Sequence, residues 1–281
     1  MGIKRQEIAD MVEKMPAFPR SVHRVLDLAS DINSDPKDLV EVIEHDPVMI
    51  LKILKLVNSA YFGLSQKITS VNHAVVYIGL NTVKNLALST AAIGTLPRKN
   101  EAGFDMDAFL LHSLSTASIA KLFTKKMNIQ SKEAFDFFLS GLLHDFGKVV
   151  FAHFLPGEFQ KALLIAKEKG ISLFEAENEI FNIDHTEVGS LLAEKWQLPS
   201  NLIEALKSHH CLEGDRLLVT DVVSASNRIS KELKIGHSGN DLVEKLPIEI
   251  IGRFGNDIDG IVDALGDVKA EIDKALIFIN L

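Results

Sequence analysis

Cysteine is almost missing from this 281-residue chain: Cys211 stands alone, so no disulfide can form within it. That usage fits a reducing compartment. A surplus of positive charge is missing too. Thirty Lys and Arg face 38 Asp and Glu, for a net charge of −8. A nucleic-acid-binding surface needs the opposite balance, so no nucleic-acid partner is expected. No apolar run approaches the roughly 20 residues of a membrane span, and no low-complexity tract or long repeat appears. The opening MGIKRQEIADMVEKM lacks a signal peptide's apolar core and reads as a polar helix. Gln6 stands where a myristoylation signal after Gly2 needs Ser or Thr. A cytoplasmic setting without membrane attachment is expected.

What the chain has is helix punctuation. Asp35 followed by Pro36 opens SDPKDLVEVIEH, and Asp46 followed by Pro47 opens HDPVMILKILKLVNSAYFG, each a cap followed by a residue suited to the first turn. Ile50, Ile53, Leu54 and Val57 recur at helical spacing, and Gly63 reads as the stop. Ser70 is expected to cap VNHAVVYIG, Asn81 to cap TVKNLALSTAAIGTL and Ser200 to cap NLIEALKSHH. Asp184 with Glu187 has capping-box spacing. Pro156-Gly157 and Gly170 read as breaks. Helices are expected again around LPIEIIGRF, IDGIVDAL and VKAEIDKALIFI. The chain therefore reads as all-α. The polar stretch PRKNEAGF, residues 97–104, suggests two lobes, 1–97 and 104–281.

The chemistry gathers in the second lobe. GLLHDFGKVVFAHF reads as an apolar helix with His144 and Asp145 in its middle and Lys148 one turn on. An ionisable pair on an apolar stripe needs partners. Of ten histidines, His112, His185, His209 and His210 also fall within or at the start or end of helices with apolar faces. His209 continues the stripe of Leu202 and Leu206, and His210 that of Ile203 and Leu206. Imidazoles with one carboxylate suit one or two divalent ions, Fe, Mn, Zn or Ni, with Asp145 bridging and Lys148 balancing charge or orienting a metal-bound water. Each histidine taken singly reads equally as a hydrogen-bonded core residue. The phenylalanines at 135, 137, 138, 146 and 151 read as core.

MPAFPRSVHRVLDLASD, HDPVMILKILKLVNSAYFG and ITSVNHAVVYIGLNTVKNLAL, with GLLHDFGKVVF and FNIDHTEVGSLLAEKWQLPSNLIEALKSHH, resemble the segments of HDOD proteins. These are bacterial signalling relatives of the HD superfamily, and the resemblance covers about residues 15–236. It implies a two-lobed helical bundle whose C-terminal lobe is HD-like. It also implies a metal set of His112, His144, Asp145, His185, His209 and His210, with Asn227 where the superfamily carries an Asp. Asp221, about 240° away around the helix, cannot replace it. Only CLEGDRLLVTDVVSAS separates His210 from Asn227, where the HD-GYP phosphodiesterases carry a longer segment with Gly-Tyr-Pro, so hydrolysis of cyclic di-GMP is not expected. The resemblance implies a regulator that binds signalling proteins or a small phosphate-containing ligand. The alternative is a metal-dependent phosphohydrolase or phosphodiesterase, with Asp145 and Lys148 as its catalytic groups.

Overall fold

Two aspartates open consecutive helices by the same local device. Asp35 accepts the Lys37 N–H ahead of α3 (Pro36–Glu44), and Asp46 accepts the Met49 N–H ahead of α4 (Pro47–Val57). Before them come α1 (Arg5–Lys14) and α2 (Arg20–Ser30), and after them α5 (Val71–Ile78) and α6 (Leu80–Thr95). The computed structural model describes residues 5–30, 35–211, 216–255 and 257–280. Gly2 lies outside them. Every regular element among the described residues is a helix, and none is long and apolar enough to cross a membrane.

Past the linker run α7 (Met106–Lys126), α8 (Ser131–Leu143), α9 (Phe146–Phe154), α10 (Pro156–Lys169) and α11 (Leu173–Phe181). Then come α12 (His185–Lys195), α13 (Ser200–Ser208) and α14 (Leu218–Glu232), and finally α15 (Ile248–Phe254), α16 (Ile258–Leu265) and α17 (Val268–Ala275). Helix α7 is the axis of this lobe, with α8, α14 and α17 against it. It meets α8 closely, because a Cβ on Gly141 would sit 2.8 Å from the Ala117 Cα. One apolar cluster runs from Ile8 to Phe278 and crosses from lobe to lobe. The five phenylalanines at 135, 137, 138, 146 and 151 are buried. Helix α1 packs on α12, where Lys195 Nζ caps the end of α1 through the Val12 and Met15 carbonyls and the Trp196 ring stacks on Phe18. A second cluster joins α7 and α14 to α15–α17 through Phe123, Val222, Ile250, Ile261 and Ile272.

Several expected boundaries differ. Helix α4 ends at Val57, where the Asn58 side chain donates to the Leu54 and Ile68 carbonyls and accepts the Ile68 N–H; Gly63 serves a later turn at φ +59°. Asn81 lies inside α6, which follows directly on Gly79. Ser200 is the first residue of α13 and makes no side-chain cap. Asp184 caps α12, but Glu187 pairs with Arg5; the capping box is at Ser172 and Glu175, opening α11. The largest difference concerns His144 and Asp145. They form the turn between α8 and α9. The apolar residues on both sides give the appearance of one helix in sequence.

Candidate metal centre

Six of the expected ligands converge. Asp145, fully buried at that turn, is the hub. Its Oδ2 lies 3.2 Å from His144 Nε2 and 3.8 Å from His112 Nε2. Its Oδ1 lies 3.1 Å from His185 Nε2 and 3.6 Å from His209 Nε2. Two donor groups result that share only this carboxylate: His112, His144 and Asp145, and Asp145, His185, His209 and His210. Within each group the ligand atoms lie within 4.8 Å of one another.

Four of the five imidazoles are oriented from behind. His144 Nδ1–H donates to the Gly141 carbonyl at 2.7 Å and His209 Nδ1–H to the Leu206 carbonyl at 2.8 Å. His185 Nδ1 meets Glu177 Oε2 at 2.5 Å, and His112 Nδ1 meets Ser230 Oγ at 3.2 Å. For His144 and His209 the neutral ring therefore turns a bare Nε2 lone pair toward an acceptor oxygen. The four Nε2 atoms and Asp145 Oδ1 are buried with no hydrogen-bond partner. Acceptors facing acceptors in a dry site need a cation between them or extra protons on the rings.

Protons are a poor remedy at two of these rings. Burial and the neighbouring His144 hold His112 well below its usual value, and burial brings His209 down to about 4. At His185 burial is the largest influence and pushes downward, but the Glu177 and Asp145 carboxylates together outweigh it and raise the group to about 9. Asp145 stays ionised: burial opposes it, yet His144, Lys148 and His185 together hold it well below the usual carboxylate range. The donor set fits a divalent cation. Imidazole Nε2 atoms with Nδ1 hydrogen-bonded to carboxylate or carbonyl oxygens are the arrangement that metal-bound histidines adopt.

Lys148 Nζ sits 2.6 Å from Asp145 Oδ2 and 3.1 Å from the Ser238 carbonyl, and its side chain is almost wholly buried. Asn227 is buried on α14 with Oδ1 unpartnered. It stands one turn from Ser224, whose hydroxyl donates to the His209 carbonyl, and one turn from Ser230 behind His112. Asp221 is taken by Arg216 and Arg253, each at 2.9 Å.

The HDOD domain family model matches residues 15–212. This chain belongs to the HDOD family. An uncharacterized protein of Treponema pallidum (strain Nichols) is 28% identical over 205 residues; the match takes in 73% of this chain but only 39% of that relative. The fold is shared with an HDOD domain protein of unknown function from Geobacter sulfurreducens, at a TM-score of 0.72 and 21% identity over 98% of this chain and 97% of that one. It is also shared with a protein of Shewanella amazonensis SB2B provisionally named a phosphohydrolase, at 0.74 and 22% over 97% of both chains. A further fold relative is a provisionally named signal transduction protein of Marinobacter aquaeolei VT8, at 0.74 and 18%, over 98% of this HDOD chain and 65% of that one.

Sequence reasoning missed several residues that build this HDOD site. Glu177 is fully buried behind His185. Lys231 is half-buried and brought down to about 8, chiefly by desolvation. Glu244 lies 3.4 Å from His210 Nδ1. The signal for Glu177 was its place between Leu173 and Phe181 on the buried stripe of α11.

Proposed function

We propose that this HDOD protein is a signal-transduction regulator that acts by binding, built around a buried divalent-metal centre on Asp145, His112, His144, His185, His209 and His210. One observation carries this reading. The donor set points inward on itself, and every member is buried except His210, which is half-buried. Lys148, the group a hydrolase would use on substrate, spends its ammonium on Asp145 and on the Ser238 carbonyl. A turnover site needs an open approach to the metal; a binding or sensing site does not. The partners that fit are signalling proteins or a small phosphate-containing ligand.

The shared carboxylate favours a second reading, a metal-dependent phosphohydrolase. Two donor groups joined through Asp145 suit two ions, and such ions supply an activated water and neutralise phosphoryl charge. Asn227 weighs against it, since a neutral amide is a poorer ligand than a carboxylate.

Elemental analysis of protein purified without chelator, with Asp145→Ala alongside, tests the centre. One or two equivalents of Mn, Fe, Zn or Ni are expected in the wild type and none in the variant. A wild-type protein that stays metal-free after reconstitution overturns the centre. Metal-loaded protein is expected to leave a panel of phosphate monoesters and cyclic nucleotides unreacted; turnover that Asp145→Ala abolishes would establish the second reading.

A further inference from the structure

Residues 235–247, between α14 and α15, form a strap without helix that lies across the metal centre. Long irregular connections inside a compact domain are uncommon and tend to carry function. The ends of the strap are rooted in the second apolar cluster, through Ile235 and Leu246. Its middle is held by polar contacts. The His237 N–H donates to the Ala108 carbonyl at 2.9 Å, and the Asn240 amide donates to the Ile171 carbonyl at 3.2 Å. Two ammonium groups reach it from below, Lys148 buried and Lys231 half-buried. Lys148 donates to the Ser238 carbonyl at 3.1 Å, and Lys231 donates to Asn240 Oδ1 at 3.2 Å and the Leu242 carbonyl at 3.4 Å.

Cavities flank the middle of the strap. One of about 380 Å³ on one side is lined by His112, Lys231, Gly236 and Ser238, and one of about 500 Å³ on the other by Phe104, Leu163 and Leu164. His237, Asn240 and Asp241 border both. Gly236 at φ +70° and Gly239 at φ +105° let the strap lie close, since a Cβ would sit 2.2 Å from the His112 N at the first and 2.6 Å from Leu173 Cδ2 at the second. Glu244 adds a carboxylate beside His210 at the far end.

We infer that the strap is a gate over the metal centre, latched by Lys148 and Lys231 and released by an anion bearing phosphate oxygens that draws both ammonium groups away. The hydrogen bonds that these lysines make to the strap go to neutral carbonyl and amide oxygens, and an ammonium is drawn more strongly to the charged oxygens of a phosphate than to neutral acceptors. Release opens a way from the 380 Å³ cavity, which His112 already lines, to Asp145, so the same ligand that enters the site also opens it. This rests on the reading of the site as a closed binding pocket.

Ser238 reports the gate directly, because this strap residue is buried and Cys211 is the only native thiol. In a Cys211→Ser, Ser238→Cys protein kept in EDTA, an aromatic disulfide reagent reads strap opening. Labelling is expected at least about tenfold faster than global unfolding, as for a sub-global opening. Pyrophosphate is expected to raise the rate several-fold over potassium chloride of equal ionic strength. Hydrogen exchange of the 235–247 backbone in the wild-type protein gives the same comparison without the new thiol. Labelling and exchange that occur only with global unfolding overturn the gate, and rates unchanged or lowered by pyrophosphate overturn its release by anion. Neither readout needs metal, so a protein that binds none sinks the metal centre while the strap is judged separately.

Discussion

Glu177 grips His185 twice: its Oε2 accepts the His185 backbone N–H at 2.8 Å and meets the ring Nδ1 at 2.5 Å. One carboxylate from α11 thus fixes both the start of α12 and the direction in which His185 Nε2 points. A carboxylate behind a metal-bound imidazole sets its tautomer and raises its basicity. Glu177→Gln keeps the shape and removes the charge. Metal affinity is expected to fall about 10–100-fold, as for losses behind other metal-bound histidines. Chelator-competition titration measures this, and unchanged helical circular dichroism excludes unfolding as the cause. An unchanged affinity would mean that the pair only ties α11 to α12.

Asp145 and Lys148 form a buried ion pair at 2.6 Å. Removing one partner leaves an uncompensated charge in a dry site, which costs about 3–5 kcal/mol, whereas replacing both with neutral groups costs far less. In EDTA, Asp145→Asn and Lys148→Met are each expected to lower the denaturation free energy by about that amount, and the double variant by clearly less than their sum. Strict additivity would show that the pair contributes no coupling. With metal present, Asp145→Asn is expected to lose the ligand-induced rise in melting temperature as well.

Asp46 caps α4 through the Met49 N–H and also accepts from Ser21 Oγ at 2.7 Å, tying α2 to the start of α4. Burial is the largest single influence and opposes its charge, but these bonds and Lys52 together outweigh it and hold its pKa below the ordinary 3.8. Its stabilising contribution is therefore complete above the unfolded-state value and is lost as pH falls through the lower folded-state value. Asp46→Ala is expected to cost about 0.5–2 kcal/mol near neutral pH, in the range of lost N-caps. Thermal melts should show the gap between wild type and Asp46→Ala narrowing below pH 4. A gap independent of pH would mean that the charge plays no part.

The parts of this molecule legible in sequence are those set by near neighbours. Asp35-Pro36 and Asp46-Pro47 announce their helices because the cap and its N–H partner lie within three residues. The histidines and Asp145 announce themselves because polar groups interrupt apolar stripes. Glu177 was missed although its spacing from Leu173 and Phe181 sets it on the buried stripe of α11, since nothing local names its partner until His185 is placed against it. The strap was not legible either. IGHSGNDLVEKLP has the composition of an exposed loop, and only tertiary contacts from Lys148 and Lys231 bury Ser238 and Asn240. The turn at His144 and Asp145 was hidden for the opposite reason: apolar residues continue through it, and the break is demanded by how α9 must cross α12.

That crossing depends on Gly147. A Cβ there would lie 2.0 Å from the His185 carbonyl oxygen and 2.7 Å from the Gly189 N, both backbone atoms that cannot swing aside. Gly147→Ala must push α9 and α12 apart, and it does so at the residue that carries one ligand and two positions from the one that carries the hub. A stability loss of at least about 1–3 kcal/mol is expected, the cost of overpacking a tight interior. Metal affinity should fall as His185 moves away from Asp145. Gly157 provides the control: it lies in the first turn of α10 with open space where its Cβ would be. Gly157→Ala is expected to be neutral or stabilising by about 0.4–1 kcal/mol, because it restricts only the unfolded chain. Melting temperatures and chelator competition on the two variants check the contrast. If Gly147→Ala melts with the wild type and keeps its metal, the α9–α12 contact is looser than the distances indicate and the hub does not depend on it.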